Sequence, residues 1–236
     1  MATIVLVHGA FHGGWCWRDV VPLLQSDGHR VLTPTLTGLG ERSHLASPAV
    51  NLSTHVQDIV GLLLWEELSD VLLVAHSYGG MVATGVADRM PERLSGLLYL
   101  DALVPESGRS ILDYQEPARG SALLKAVAEN DGWRLPAFSA EFYGVRDADR
   151  AAWVDAHTTP QPFASFRERP HFVQGGAEAV ARRGYVLCTD PPLAYMRQFH
   201  DRLLGRDGWT VGQLATGHDL MVTAPEATAQ IILDHL

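Results

Sequence analysis

The run Val71-Leu72-Leu73-Val74-Ala75-His76 leads without a break into Ser77-Tyr78-Gly79-Gly80 and then into Met81-Val82-Ala83-Thr84. An uninterrupted apolar run of this length reads as a strand buried on both faces, which requires helices above and below a parallel sheet. Met81 and its neighbours can start a helix, so Ser77 falls on a strand-to-helix turn. Such a turn holds its serine in a strained backbone conformation and needs small residues on both flanks, because larger ones collide with the adjoining strand and helix. Ala75 and Gly79 meet that need, with Ala where the G-x-S-x-G pattern has its first Gly. A Gly-rich βα turn is the plain reading of the five residues alone; the strand and helix around them point to a nucleophile.

The rest of the chain supports a doubly wound, mostly parallel α/β sheet. Strand-length runs recur at Ile4 to Val7, Arg30 to Thr33 and Leu97 to Leu100, and again at Tyr185 to Cys188 and Trp209 to Leu214. Helical stripes lie between the early ones: Trp17, Val20, Val21 and Leu24, then Val56, Ile59, Val60, Leu63 and Leu64, with Thr54 and Gln57 read as a capping box. A last helix is expected from Thr223-Ala224-Pro225-Glu226, which offers a cap, an early Pro and an acidic third position. From about Val104 to Arg183 the composition shifts to Pro, charge and scattered aromatics, including Trp133, Phe138, Phe142, Tyr143, Trp153, Phe163 and Phe166. The expected organisation is a core of residues 1–103 and 181–236 with a mainly helical insertion at 104–180. There is no internal repeat or low-complexity segment.

At 236 residues with 47% apolar side chains, the chain can bury one large core. The formal charge of −9 comes from scattered Asp and Glu, and no basic stretch could track phosphates, so nucleic acid is not an expected partner. The N-terminus lacks the basic start, longer apolar stretch and cleavage site of a signal peptide, and a cytoplasmic location is expected. No stretch reaches the roughly 20 apolar residues of a membrane span. Cys16 and Cys188 lie far apart without metal-binding spacing and read as buried free thiols. Among the histidines only His8 and His12 lie at i, i+4, on a Gly-rich turn without a carboxylate, so neither a metal nor another cofactor is expected.

A serine hydroxyl needs a base to take its proton. His218, in Ala215-Thr216-Gly217-His218-Asp219, follows the last strand and precedes the final helix, which places it at the C-terminal edge of the sheet with Ser77. His76 should point away from its neighbour, and His200 falls on an expected helix. For the oxyanion, the Tyr78 backbone N–H is one expected donor and the Ala10 N–H, in the glycine-rich loop after the first strand, the other. Neither G-x-x-x-x-G-K-[ST] nor G-x-G-x-x-G occurs, which removes a nucleotide-binding reading of those glycines.

With these elements in place, the chain resembles the α/β-hydrolase superfamily. Leu6-Val7-His8-Gly9-Ala10-Phe11-His12-Gly13-Gly14-Trp15 and Ala75-His76-Ser77-Tyr78-Gly79-Gly80 are similar to the branch of plant methyl-salicylate esterases, hydroxynitrile lyases and small bacterial esterases. The resemblance implies a cap over the active site, near residues 104 to 183. Hydroxynitrile lyases use a Thr by the oxyanion loop and a Lys after the catalytic His; here those positions hold Gly9 and Asp219, which favours esterase chemistry. In most of the superfamily the triad acid follows the strand here read as Tyr185 to Cys188, where Asp190 stands, although in the lyase-like branch the acid's place is Pro192. Another subset supplies it after the preceding strand, at Asp101. Asp101 is preferred, Asp190 is the alternative, and Asp219 is disfavoured as a direct sequence neighbour of His218.

The expected activity is hydrolysis of a small, largely apolar carboxylic ester through an acyl-serine, with Ser77, His218 and Asp101 as the triad. Lactone, thioester or C–C bond hydrolysis with the same triad is the alternative, as is a slow-turnover hydrolase-like ligand-binding protein. The expected partner is a small-molecule ester rather than a nucleic acid or a membrane.

Overall fold

The computed structural model describes every residue, Met1–Leu236. Six strands, β1 (Thr3–Val7), β2 (Arg30–Leu32), β3 (Val71–His76), β4 (Leu94–Leu100), β7 (Arg183–Cys188) and β8 (Trp209–Leu214), form one parallel sheet in the order β2-β1-β3-β4-β7-β8. This is the α/β-hydrolase architecture. Side chains alternate between its two faces. Val5, Val7, Leu73, Ala75, Leu97, Tyr99, Tyr185 and Leu187 face one apolar cluster, while Ile4, Leu6, Leu72, Val74, Leu98, Leu100, Val186 and Cys188 face the other. Burial on both faces is why β1 and β3 read as continuous apolar runs.

Helices α1 (Val21–Ser26) and α9 (Pro225–Asp234) pack against each other over one face; α2 (Leu52–Trp65) and α3 (Gly79–Arg89) pair over the other. The start of α2 corrects the expected cap. Asn51, not Thr54, is the N-cap, with its side chain accepting from the Thr54 amide at 2.9 Å and Thr54 acting as the third helical residue. The last helix is also entered differently. A short α8 (Leu220–Thr223) precedes α9, and the Thr223 hydroxyl, expected as a cap, instead lies 2.7 Å from that of Thr216.

Between β4 and β7 run α4 (Pro117–Asn130), α5 (Ala148–His157) and α6 (Ala164–Arg167), with the small antiparallel pair β5 (Arg134–Leu135) and β6 (Gln161–Pro162). Helix α7 (Arg197–Leu203) then links β7 to β8. Chain direction across the sheet reverses between β1 and β3, whose following loops part there and leave a crevice at the C-terminal strand ends. Ala10 and Ser77 stand on its two sides.

Candidate active site

Ser77 and Asp101, each at the end of a central strand, adopt left-handed backbone conformations with φ of 52° and 44°. Such values are uncommon for residues with a side chain and persist only where surroundings enforce them. At Ser77 the enforcement is visible: its N–H donates to the Leu100 carbonyl, and its carbonyl accepts from the Gly80 and Leu103 amides. The small neighbours are obligatory. A Cβ on Gly79 would stand 2.8 Å from the Val7 and His8 carbonyl oxygens, and one on Gly80 only 2.0 Å from that of Leu103.

From this turn a continuous line of hydrogen bonds runs inward. Ser77 Oγ lies 2.9 Å from His218 Nε2, and His218 Nδ1 lies 2.6 Å from Asp101 Oδ2. The other oxygen of Asp101 accepts from the Cys188 amide at 3.0 Å, which fixes the carboxylate plane. A carboxylate can only accept, so His218 carries its proton on Nδ1 and leaves Nε2 free to accept from Ser77. Asp190 is not part of this line: it sits half-exposed on the surface, where Oδ1 accepts from Arg146 at 2.8 Å. Asp219 does not touch the ring of His218 through a hydrogen bond either.

Three further histidines surround the line, and each has its protonation set by its partners. His8 Nε2 accepts from the Leu36 amide at 3.0 Å while Nδ1 donates to the Gly9 carbonyl, and burial lowers its pKa to about 3. It is therefore neutral. His12 faces acceptors on both sides, the Ala10 carbonyl at 2.7 Å and Asp219 Oδ2 at 3.0 Å, which calls for the imidazolium. Burial alone would lower its pKa, but the charge and hydrogen bond of Asp219 outweigh that and raise it. Asp219, though fully buried, is in turn held below its usual value by His12. His76 is pushed well down by burial and by His218; its Nε2–H donates to the His218 carbonyl at 3.0 Å, and its ring packs 4.6 Å from that of His218. The sequence points His76 away from Ser77 and sets Asp219 aside as the triad acid, but it does not pair Asp219 with His12. Contacts between residues 142 and 207 positions apart left no local signal for either.

The two backbone donors expected at the oxyanion are unengaged. Neither the Ala10 nor the Tyr78 amide donates to a protein acceptor, whereas the Phe11 amide beside Ala10 is taken by Gln161 Oε1 at 3.1 Å. Both residues line the same cavity as Ser77 and His218. Its walls are mainly apolar, with Leu103, Ile111, Leu123, Phe138, Phe142 and Phe166 among the lining residues.

Cys16 and Cys188 are buried free thiols, and burial pushes both upward in pKa. The potential ligand atoms of His76, His218 and Asp219 lie within 4.8 Å of one another. A cation there would have to displace the hydrogen bonds that His218 makes to Asp101 or Ser77 and that His76 makes to the His218 carbonyl. No helix is long and apolar enough to cross a membrane.

Residues 4–231 match the alpha/beta hydrolase family, and the chain belongs to that family. It is 44% identical over 242 residues to a carbendazim hydrolyzing esterase of a Nocardioides species, covering 98% of each chain. A pyrethroid hydrolase of Sphingobium wenxiniae is 29% identical over 251 residues, covering 99% of this chain and 87% of that one. An extracellular α/β-hydrolase of a Paenibacillus species, described as homologous to Tobacco Salicylic Acid Binding Protein 2, shares the fold with a TM-score of 0.86 at 20% identity, over 100% of this chain and 99% of the other. Within the family, the chain is a carboxylic ester hydrolase.

Proposed function

We propose that the chain is a serine esterase that cleaves a small, largely apolar carboxylic ester through an acyl-serine intermediate. The observation that carries this reading is the unbroken line Ser77–His218–Asp101 opening into an apolar cavity beside two unengaged amides. Ser77 Oγ attacks the ester carbonyl carbon as its proton passes to His218 Nε2, and the resulting imidazolium is stabilised by Asp101. The carbonyl oxygen takes up the negative charge against the Ala10 and Tyr78 amides. One such donor is worth about 10²–10³ in turnover. Collapse expels the alcohol, which takes the proton from His218. Water then attacks the acyl-serine, giving its proton to His218; release of the acid returns that proton to Ser77.

The apolar walls and the two hydrolases named for carbendazim and pyrethroids support a substrate with an extended hydrophobic or aromatic part. Residues 104–180 act as the cap that closes over it; Phe138, Phe142 and Phe166 all come from that segment. The test is a panel of p-nitrophenyl and aryl esters, thioesters and lactones, with carbendazim and a pyrethroid, assayed on the wild type and on Ser77→Ala. The reading requires ester turnover that Ser77→Ala lacks. Exclusive turnover of lactones or thioesters would move the substrate class, and turnover undiminished in Ser77→Ala would remove the serine mechanism.

A further inference from the structure

Arg119, at the third position of α4, lines the cavity and has neither a hydrogen bond nor an ion pair. Every other arginine that is not fully exposed has a partner: Arg42 has Asp58, Arg109 and Arg202 have Glu106, Arg134 has Asp131, Arg183 has Glu178, and Arg93 and Arg182 have backbone carbonyls. The Arg119 Nε is shut from water with no acceptor, as are those of Arg182, Arg183 and Arg202, but Arg119 alone among these has no partner for its terminal nitrogens either. Leaving such a donor unsatisfied costs free energy, more so when it belongs to a charged group.

What holds Arg119 is aromatic. Its guanidinium carbon lies 5.1 Å from the ring centre of Tyr195, 5.3 Å from that of Phe142 and 5.9 Å from that of Phe138. Ring faces attract the cation but accept none of its in-plane hydrogen bonds, so its donor edge stays open. Tyr195 connects this place to the chemistry, because it lines the same cavity as Ser77 and His218.

Resting on the esterase reading above, we propose that Arg119 forms a subsite for a planar acceptor group, a carboxylate above all, at the end of the substrate remote from the scissile carbonyl. The aromatic walls then hold the apolar linker and the guanidinium reads the polar end. A guanidinium fork matches a carboxylate with two parallel hydrogen bonds. Specificity would follow from the penalty of leaving Arg119 unpaired when a purely apolar ester binds.

The test uses two matched pairs. Monoethyl glutarate against ethyl pentanoate places the carboxylate on the acyl side; 4-acetoxybutanoate against butyl acetate places it on the alcohol side. Ethyl 5-oxohexanoate supplies a neutral acceptor. In the wild type, kcat/KM should favour the carboxylate member of at least one pair by about tenfold or more, as expected for hydrogen bonds to a charged group. Arg119→Met and Arg119→Gln should bring that ratio down to near one, with Arg119→Lys between. The keto ester should rank between the members of the acyl-side pair. Calorimetric binding of the same compounds to Ser77→Ala and to Ser77→Ala/Arg119→Met separates this inference from the esterase reading. A carboxylate preference that disappears with Arg119 supports the subsite even if the wild type cleaves none of these esters. Hydrolysis or binding with no carboxylate preference in either pair, or with a preference that Arg119→Met and Arg119→Gln leave intact, overturns it.

Discussion

His12 and Asp219, 207 positions apart, form an ion pair in the interior, with Nε2 3.0 Å from Oδ2 and both side chains closed to solvent. It stands beside the Ser77–His218–Asp101 line, because Asp219 follows His218 and His12 follows the Ala10 turn. The pair thus clamps the loop carrying the proposed base to the loop carrying a proposed oxyanion donor.

Its stability contribution should depend on pH in a definite direction. Asp219 is held below the usual carboxylate value of 3.8, so its share is present above about pH 4 and fades as pH falls through the lowered value. His12 is raised above 6.5, so its share is complete below about pH 6.5 and is lost as pH rises through the raised value. Urea denaturation of wild type and His12→Gln should show a gap in unfolding free energy that is widest near pH 5 to 6 and narrows toward pH 9. Removing one member of such a pair costs about 3–5 kcal/mol near the optimum. A gap that stays constant from pH 5 to 9 would refute a charged His12.

The steric closure of the serine turn makes Gly80 irreplaceable. A methyl group there would sit 2.0 Å from the Leu103 carbonyl oxygen and 3.0 Å from its carbon, backbone atoms that cannot swing aside as a flexible side chain would. Gly80→Ala should lower the melting temperature by several degrees or more, whereas Gly61→Ala, where nothing lies within 4 Å of a new Cβ, should be neutral or slightly stabilising. Equal melting temperatures for the two variants would show that the turn relaxes more readily than its contacts imply.

Cyanohydrin cleavage should be negligible. A side chain at Gly9 would meet His76 Nδ1 at 2.8 Å and the Ser77 Cβ at 3.0 Å, so there is no space for a hydroxyl-bearing residue. Asp219 is already committed to His12 and adds negative charge where a leaving cyanide would need a cation. Ser77-dependent release of cyanide from mandelonitrile, clearly above the uncatalysed rate, would contradict this.

The two candidate acids differ in what they touch, and their amides should differ accordingly. Asp101→Asn would favour the wrong imidazole tautomer, a change that lowered turnover about 10⁴-fold in a serine protease. Asp190→Asn removes only a surface contact with Arg146 and should stay within a few-fold of wild type, as exposed ion pairs contribute little. Steady-state turnover of one aryl ester by both variants decides between them; a dead Asp190→Asn beside an active Asp101→Asn would reverse the assignment.

What could be read from the sequence was local. The apolar runs of β1 and β3 and the small flanks of Ser77 follow from burial and sterics within a few residues. Asp101 is preferred over Asp190 on resemblance rather than on pattern, since both follow strands at the same edge of the sheet. Their difference appears only when the Cys188 amide and His218 converge on Asp101. The sequence points to Thr54 rather than to Asn51, three residues earlier, as the cap because Thr54 is itself a good capping residue and joins the box from its third position. The His12–Asp219 pair and the aromatic surroundings of Arg119 arise from contacts between segments separated in sequence, for which periodicity and spacing carry no information.

The most direct test of the account is covalent. Rapid mixing with a p-nitrophenyl ester under conditions where deacylation is slow should give a burst of about one p-nitrophenolate per chain, and mass spectrometry of the quenched protein should find the acyl group on Ser77. Ser77→Ala should show neither burst nor adduct, and the Ser77→Ala/His218→Ala double variant should be little slower than either single one, because the two groups act as a unit. Ester hydrolysis that persists in Ser77→Ala at the wild-type rate, or an acyl group found elsewhere, would contradict the account.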